Sequence, residues 1–256
     1  MSTTQEVLQK CLKDLKSLNI YNTPYLTVHT SMKSINEKKL TPQMLLECLR
    51  QSISPSSHLI VPTLSYLSTE NAGDVFNVRT TPSDVGLFTE TVRKLFPQNR
   101  SLHPTHSVCV FGNNSEKMCL DHLNDSTPVG RYSPLSINLH NDGLIMMIGC
   151  GPAPNTTMHA VEELVNPEYL FLSEKRYSVI DINHKQTVKE YRPHGFKTVI
   201  QRYDRLIKLL STNDYLQGEL FSARVLIIKC SAILKKAVPA LERNSYFLST
   251  NTVKFL

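Results

Sequence analysis

Between Gly143 and Gly149 runs an uninterrupted apolar segment, Leu144-Ile145-Met146-Met147-Ile148, closed by Gly149 and Gly151 and then by Pro152 and Pro154. A short apolar run without polar alternation, bounded by turn residues, reads as a strand buried on both faces, and such strands sit in sheets covered by helices on each side. The prolines forbid helix before Asn155, after which Asn155 or Thr156 is a suitable N-cap for a helix through His159 and Glu162. A buried strand turning into a helix is the building step of an α/β fold, and its carboxyl end is where such folds place ligands.

The rest of the chain continues in that style. Val7, Leu8, Cys11, Leu12, Leu15 and Leu18 recur at helical spacing over residues 3 to 18. Residues 25 to 29 and 58 to 63 read as strands flanking a helix opened by Thr41 and Pro42, which makes a β-loop-α-β unit. The polar stretch 68 to 80 reads as a long functional loop, and Thr81-Pro82-Ser83 as the cap of a helix reaching Phe96. Strands are expected over 108 to 112 and 144 to 149, a helix over 118 to 123, and a hairpin over 177 to 189 turning near Asn183-His184. A helix over 196 to 210, a strand over 220 to 228 and a helix over 232 to 242 complete the reading.

With 256 residues and 41% apolar content the chain can bury one continuous core, so a single domain over 1 to 256 is expected. The formal charge of +6 comes from 28 Lys plus Arg against 22 Asp plus Glu, scattered and without aromatic interleaving, which argues against a nucleic-acid partner. No window is apolar enough for a membrane span and residues 1 to 10 are polar, so a cytoplasmic protein is expected. Cysteines at 11, 48, 109, 119, 150 and 230 show neither paired nor Cys-x-x-Cys spacing, which indicates free thiols, no disulfide framework and no metal site.

His159 and Glu162 stand at i and i+3 on one helical face, where their side chains can meet. A histidine titrates near neutrality and accepts a proton from a reacting amine, while a carboxylate on its far nitrogen fixes the tautomer and stabilises the imidazolium. Cys150, nearby, offers a rival reading as the nucleophile of an acyl-enzyme.

Five segments, in order, carry a resemblance. They are Val28-His29-Thr30-Ser31-Met32-Lys33-Ser34, then Leu59-Ile60-Val61-Pro62-Thr63, then residues 76 to 86 with Glu90, then Arg100-Ser101-Leu102-His103-Pro104-Thr105-His106-Ser107. The fifth runs from Thr127-Pro128-Val129-Gly130-Arg131 through Asp142-Gly143 and the apolar run into Asn155-Thr156-Thr157-Met158-His159 and Glu162. Together they cover about residues 1 to 165, and the chain resembles the aminoglycoside 3-N-acetyltransferase family, whose members move an acetyl group from acetyl-CoA to an amino group of a sugar.

The resemblance implies an α/β fold with a mixed, mainly parallel central sheet flanked by helices, distinct from the more widespread acetyltransferase fold. Residues 1 to 165 would hold the cofactor loop and core, and 166 to 256 the substrate side. It implies acetyl-CoA as cosubstrate, with Thr30, Ser31, Lys33 and Ser34 on its pantetheine or diphosphate and His103 and Ser107 near its acyl end; for His103 a structural role stands beside the cofactor role. Family members carry glycines after the first loop, where this chain has Ile35-Asn36-Glu37-Lys38-Lys39-Leu40. His159 matches the general base and Glu162 its partner, with Glu163 adjacent should the helix register differ. Expected partners are acetyl-CoA, an amine-bearing acceptor and a second copy of the chain.

Residues 174 to 208 carry nine Lys or Arg (175, 176, 185, 189, 192, 197, 202, 205, 208) against four acids (174, 181, 190, 204). A site for polycationic aminoglycosides is expected to be acidic, so this segment favours a neutral or anionic acceptor, such as a nucleotide-linked amino sugar or a small amine. A non-catalytic CoA-binding homologue is a further alternative, opposed by the intact His159 and Glu162.

Overall fold

The structure is a computed structural model that describes residues 3–196 and 198–251. In chain order its first half comprises α1 (Thr4–Lys16), β1 (Tyr25–Thr30), α2 (Met32–Ile35), α3 (Pro42–Ser52), β2 (His58–Pro62), α4 (Tyr66–Asn71), β3 (Val75–Asn77), α5 (Leu87–Leu95), β4 (Val108–Phe111), α6 (Ser115–Asp121) and α7 (Pro134–His140). There follow β5 (Leu144–Ile148), α8 (Met158–Val165), β6 (Lys175–Ile180), β7 (Gln186–Tyr191), β8 (Val199–Gln201), β9 (Tyr215–Leu220), β10 (Ala223–Lys229), α9 (Cys230–Arg243) and β11 (Ser249–Asn251).

Six strands form the central sheet in the order β4-β2-β1-β5-β10-β9. β1 runs parallel to β2 and to β5, while β4, β10 and β9 join antiparallel. The sheet is therefore mixed as expected, and its parallel part is confined to the three central strands. Alternation along those strands divides the core. Leu26, Val28, Leu59, Val61, Met146 and Ile148 pack with α1, α3 and α5 on one face. Ile60, Ile145 and Met147 pack with α7, α8 and α9 on the other. Both faces of β5 are thus covered, which is why its sequence is apolar without a break.

Local chemistry sets the helix boundaries. A capping box between Thr3 and Glu6 starts α1, whose Val7, Cys11 and Leu15 are buried. Thr41 accepts from the Met44 N–H and Pro42 sits in the first turn of α3, as read from the sequence.

Three expectations are corrected. The stretch 68 to 80 is not a long loop, because α4 and β3 occupy most of it. Ser65 gives α4 no side-chain cap; instead Asp84 accepts from the Leu67 and Ser68 N–H groups, from 17 and 16 residues away. The next helix starts at Leu87, after Gly86, because Thr81 is engaged by the Asn77 N–H and the Ser83 N–H donates to Glu90. In place of the α-helix expected over 196 to 210, the described residues of that range form a short strand, β8, paired with β11, and a 3-10 turn over Tyr203–Leu209. The expected strand over 220 to 228 is β10, in a hairpin with β9. The hairpin expected over 177 to 189 is β6 and β7, which join β3 in a separate three-stranded sheet.

Candidate active site

From β1 the chain passes to β2 on one side, whereas β5 flanks β1 on the other. The three strands are parallel, so the loops after β1 and β5 leave the same edge of the sheet at this switch point. Pairing of Thr30 with Ile148 sets the two loops side by side, and the Ser31 N–H donates to the Ile148 carbonyl (2.8 Å). Gly149 has φ +67°, and a Cβ there would lie 2.5 Å from Ser34 Cβ, so only glycine allows this contact. His29 Nε2 reaches to 3.5 Å from Thr156 Oγ1, joining β1 to the start of α8.

Thr157 is the residue before α8 and makes no side-chain cap; the expected cap Asn155 is buried and accepts from the Thr157 N–H (3.2 Å). That turn puts His159 and Glu162 on the first turns of α8, with Nδ1 and Oε2 3.3 Å apart. Tyr203 completes the arrangement. Its hydroxyl donates to Glu162 Oε2 (2.6 Å) and lies 2.8 Å from His159 Nδ1. Tyr169 donates to the other oxygen, Oε1 (3.0 Å). Since the Tyr203 hydroxyl has one proton and gives it to the carboxylate, its lone pair accepts Nδ1–H and leaves His159 Nε2 unprotonated. Burial, then the charge of Glu162, pushes the Tyr203 phenol well above its ordinary pKa, so it stays a hydroxyl.

Glu163 does not compete for His159. It accepts from the Thr127 hydroxyl (2.6 Å) and the Val129 N–H (2.7 Å), and lies 2.9 Å from His194 Nε2. Burial raises its pKa.

His159 opens into a cleft of about 660 Å³ whose lining includes His106, His194, Tyr203, Phe196, Glu70, Glu174 and Lys175, within the usual size range of small-molecule sites. Phe196 stacks on His159 with ring centroids 5.2 Å apart. Burial drives His106 and His194 well below the ordinary histidine pKa and His29 down to about 3, so all three are neutral.

The basic segment does not turn this cleft positive. Lys175 pairs with Asp74 (2.7 Å), Arg176 with Glu190 (3.3 Å) and Arg202 with Asp204 (2.9 Å). Arg205 donates to the Phe247 and Ser249 carbonyls, and Lys189 to those of Leu123 and Asp125. Lys197 lies outside the described residues. Among the charged residues of the lining, Glu70 and Glu174 stand with one lysine, Lys175.

The family model for aminoglycoside 3-N-acetyltransferases matches residues 27–242. The chain belongs to that family. Aminoglycoside N(3)-acetyltransferase IV of Salmonella sp is 31% identical over 159 residues, 59% of this chain and 58% of that relative. The match thus spans less than two thirds of the relative's length. The fold is that of aminoglycoside acetyltransferase AAC(3)-IVa, with TM-score 0.75 and 23% identity over 94% of this chain and 90% of the other. AAC-IIIb, at TM-score 0.74 and 19% identity, is matched over 94% of this chain and 97% of its own.

The residues that the family resemblance assigned to the cofactor divide into two groups. Thr30, Ser31, Lys33 and Ser34 lie together in the loop after β1. Ser31 caps α2, accepting from the Ser34 N–H (3.2 Å) and hydroxyl (2.9 Å); Lys33 is exposed, and the Thr30 hydroxyl is buried without a protein partner. His103 and Ser107 are spent inside the scaffold. His103 Nδ1 accepts from the Thr105 (3.3 Å) and His106 (3.0 Å) N–H groups and its Nε2 lies 3.1 Å from the Thr127 carbonyl. Ser107 donates to the Thr63 carbonyl (2.9 Å) and accepts from Arg100 Nε (2.9 Å). Both are buried, and their side-chain polar atoms are engaged by protein groups. It is His106 that reaches the cleft.

Tyr203, Tyr169 and His194 carried no local signal. Tyr203 is 41 residues from Glu162, in a stretch whose spacing suggested an ordinary helix.

Proposed function

We propose that this chain is an N-acetyltransferase that moves the acetyl group of acetyl-CoA directly to an amino nitrogen of an aminoglycoside or related amino sugar. The observation that carries the reading is the chain Glu162–Tyr203–His159, which holds the imidazole in the tautomer with a free Nε2 beside the cleft. His159 Nε2 takes the proton of the attacking amine as the nitrogen bonds the thioester carbonyl carbon. The C–S bond then breaks, and the imidazolium returns that proton to the departing thiolate. Glu162, through Tyr203 and by its own contact, stabilises the charged imidazole between these steps.

The loop after β1 suits the cosubstrate. Its buried Thr30 hydroxyl lacks a protein partner, Lys33 offers an exposed cation to phosphate, and both lie beside the loop that leads to His159. The solved AAC-IIIb is a binary complex with CoASH, and AAC-VIa is known bound to sisomicin. The carboxylates of Glu70 and Glu174 suit a polycationic acceptor.

The test is an acceptor panel of aminoglycosides, nucleotide-linked amino sugars and small amines, read by mass spectrometry, with His159→Ala alongside. An aminoglycoside should gain one acetyl group with the native chain. In the variant, turnover should be lost while acetyl-CoA still raises the melting temperature. Unchanged kcat in His159→Ala would remove His159 from the role.

A further inference from the structure

Three histidines from separate parts of the chain meet in the cleft. One ring nitrogen of each of His106, His159 and His194 lies within 4.8 Å of the other two. On each ring one nitrogen is engaged by a protein group. His106 Nδ1 is 2.9 Å from the Thr105 hydroxyl, His159 Nδ1 is held by Tyr203 and Glu162, and His194 Nε2 is 2.9 Å from Glu163 Oε1. Outward bonds of this kind, to carboxylates and hydroxyls, are those that fix the tautomer of a metal-ligating histidine. With the His106 Nδ1–H donating to Thr105, His106 Nε2, His159 Nε2 and His194 Nδ1 are three lone pairs. His194 Nδ1 is buried and has no hydrogen-bond partner, and an orphaned buried acceptor is costly. A small cation seated among the three rings would satisfy it.

We propose that His106, His159 and His194 form a binding site for a divalent transition metal of the zinc class. Three neutral imidazoles suit zinc, cobalt, nickel and copper better than calcium or magnesium. Zinc–nitrogen bonds of about 2.0–2.1 Å place ligand nitrogens about 3.3 Å apart in a tetrahedron, so the rings close inward by roughly 1 Å on binding. The fourth position faces the cleft, which all three residues line. Cysteine spacing gave no hint of this site, since its ligands lie 35 or more positions apart at 106, 159 and 194.

Occupancy has a catalytic consequence. The metal takes the same Nε2 lone pair that accepts the amine proton, so the loaded protein has no free base and acetyl transfer stops until the metal leaves. This inhibitory half rests on His159 as the base; the binding half does not.

The test is titration of chelator-stripped protein with cobalt(II), following the visible absorption that marks tetrahedral coordination, and with zinc by equilibrium dialysis. One metal per chain with a tetrahedral cobalt spectrum is expected. His106→Ala and His194→Ala should each weaken binding about 100-fold, and Glu163→Gln about 10-fold, with circular dichroism confirming that each variant is folded. Absence of a tetrahedral spectrum in the native chain, or binding that survives both alanine variants, would overturn the site. If zinc binds with that stoichiometry but leaves acetyl transfer untouched, the inhibitory half is overturned and the site stands.

Discussion

Tyr203 stands between Glu162 and His159, donating to the carboxylate at 2.6 Å and lying 2.8 Å from the imidazole, closer than the 3.3 Å between the two residues it links. The carboxylate therefore governs the imidazole largely through a phenol. Tyr203→Phe should lower kcat by about 10- to 100-fold with little change in KM, because tautomer control matters most when the imidazole becomes charged. Glu162→Gln should do the same, and the double variant should lose far less than the product of the two effects. Steady-state kinetics of the three variants checks this; strict additivity would separate the roles of Tyr203 and Glu162.

Glu70 and Glu174 are the carboxylates lining the cleft. Replacing either with Gln should raise KM for a polycationic acceptor about 3- to 10-fold at low salt, leaving kcat nearly unchanged. The difference should shrink as ionic strength rises. A KM indifferent to both charge and salt would place the acceptor elsewhere.

Cys150 is the rival nucleophile, and its surroundings do not activate it. Burial pushes its thiol up to about 11, so little thiolate exists at neutral pH. Cys150→Ala should retain kcat within about twofold, with sequential kinetics. Ping-pong kinetics abolished by that change would reverse the assignment.

Acid should loosen the wall around Arg93. Burial alone would raise the Glu90 pKa, but hydrogen bonds from Arg93, the Ser83 N–H and Lys94 outweigh it and bring the carboxyl from 4.5 to about 2. A depressed folded pKa gives stability that is present above 4.5 and lost as pH falls toward 2. Glu90→Gln should cost about 2 kcal/mol at pH 7, and the gap to the native chain should close across that acid window in urea titrations. A gap constant with pH would show that Glu90 contributes only through packing.

Much of this was legible because it is local. The apolar run 144 to 148, the alternation over 177 to 189 and the His159–Glu162 spacing each report their surroundings through neighbours in sequence. What escaped depends on remote partners. Asp84 caps α4 from 17 residues beyond Leu67, and β8 exists because Ser249–Asn251 pairs with it. Tyr203 and Leu206, buried three apart, fit a 3-10 turn as well as a helix, and spacing alone does not choose. His103 and His106 share one motif, yet only the fold shows that the first holds the loop and the second faces the cleft. The basic count over 174 to 208 tallied charge without position, and of those cations the cleft lining holds Lys175, which is paired with Asp74.

The imidazole hangs from the six-stranded sheet through β5 and α8, whereas Glu174, Lys175 and Tyr177 in the opposing wall belong to β6 or its approach, in a different sheet. Under the proposed function, reactivity and admission thus have separate foundations. Side chains on β6 can then be exchanged to admit another amine while His159 keeps its setting, so one frame can serve a succession of guests.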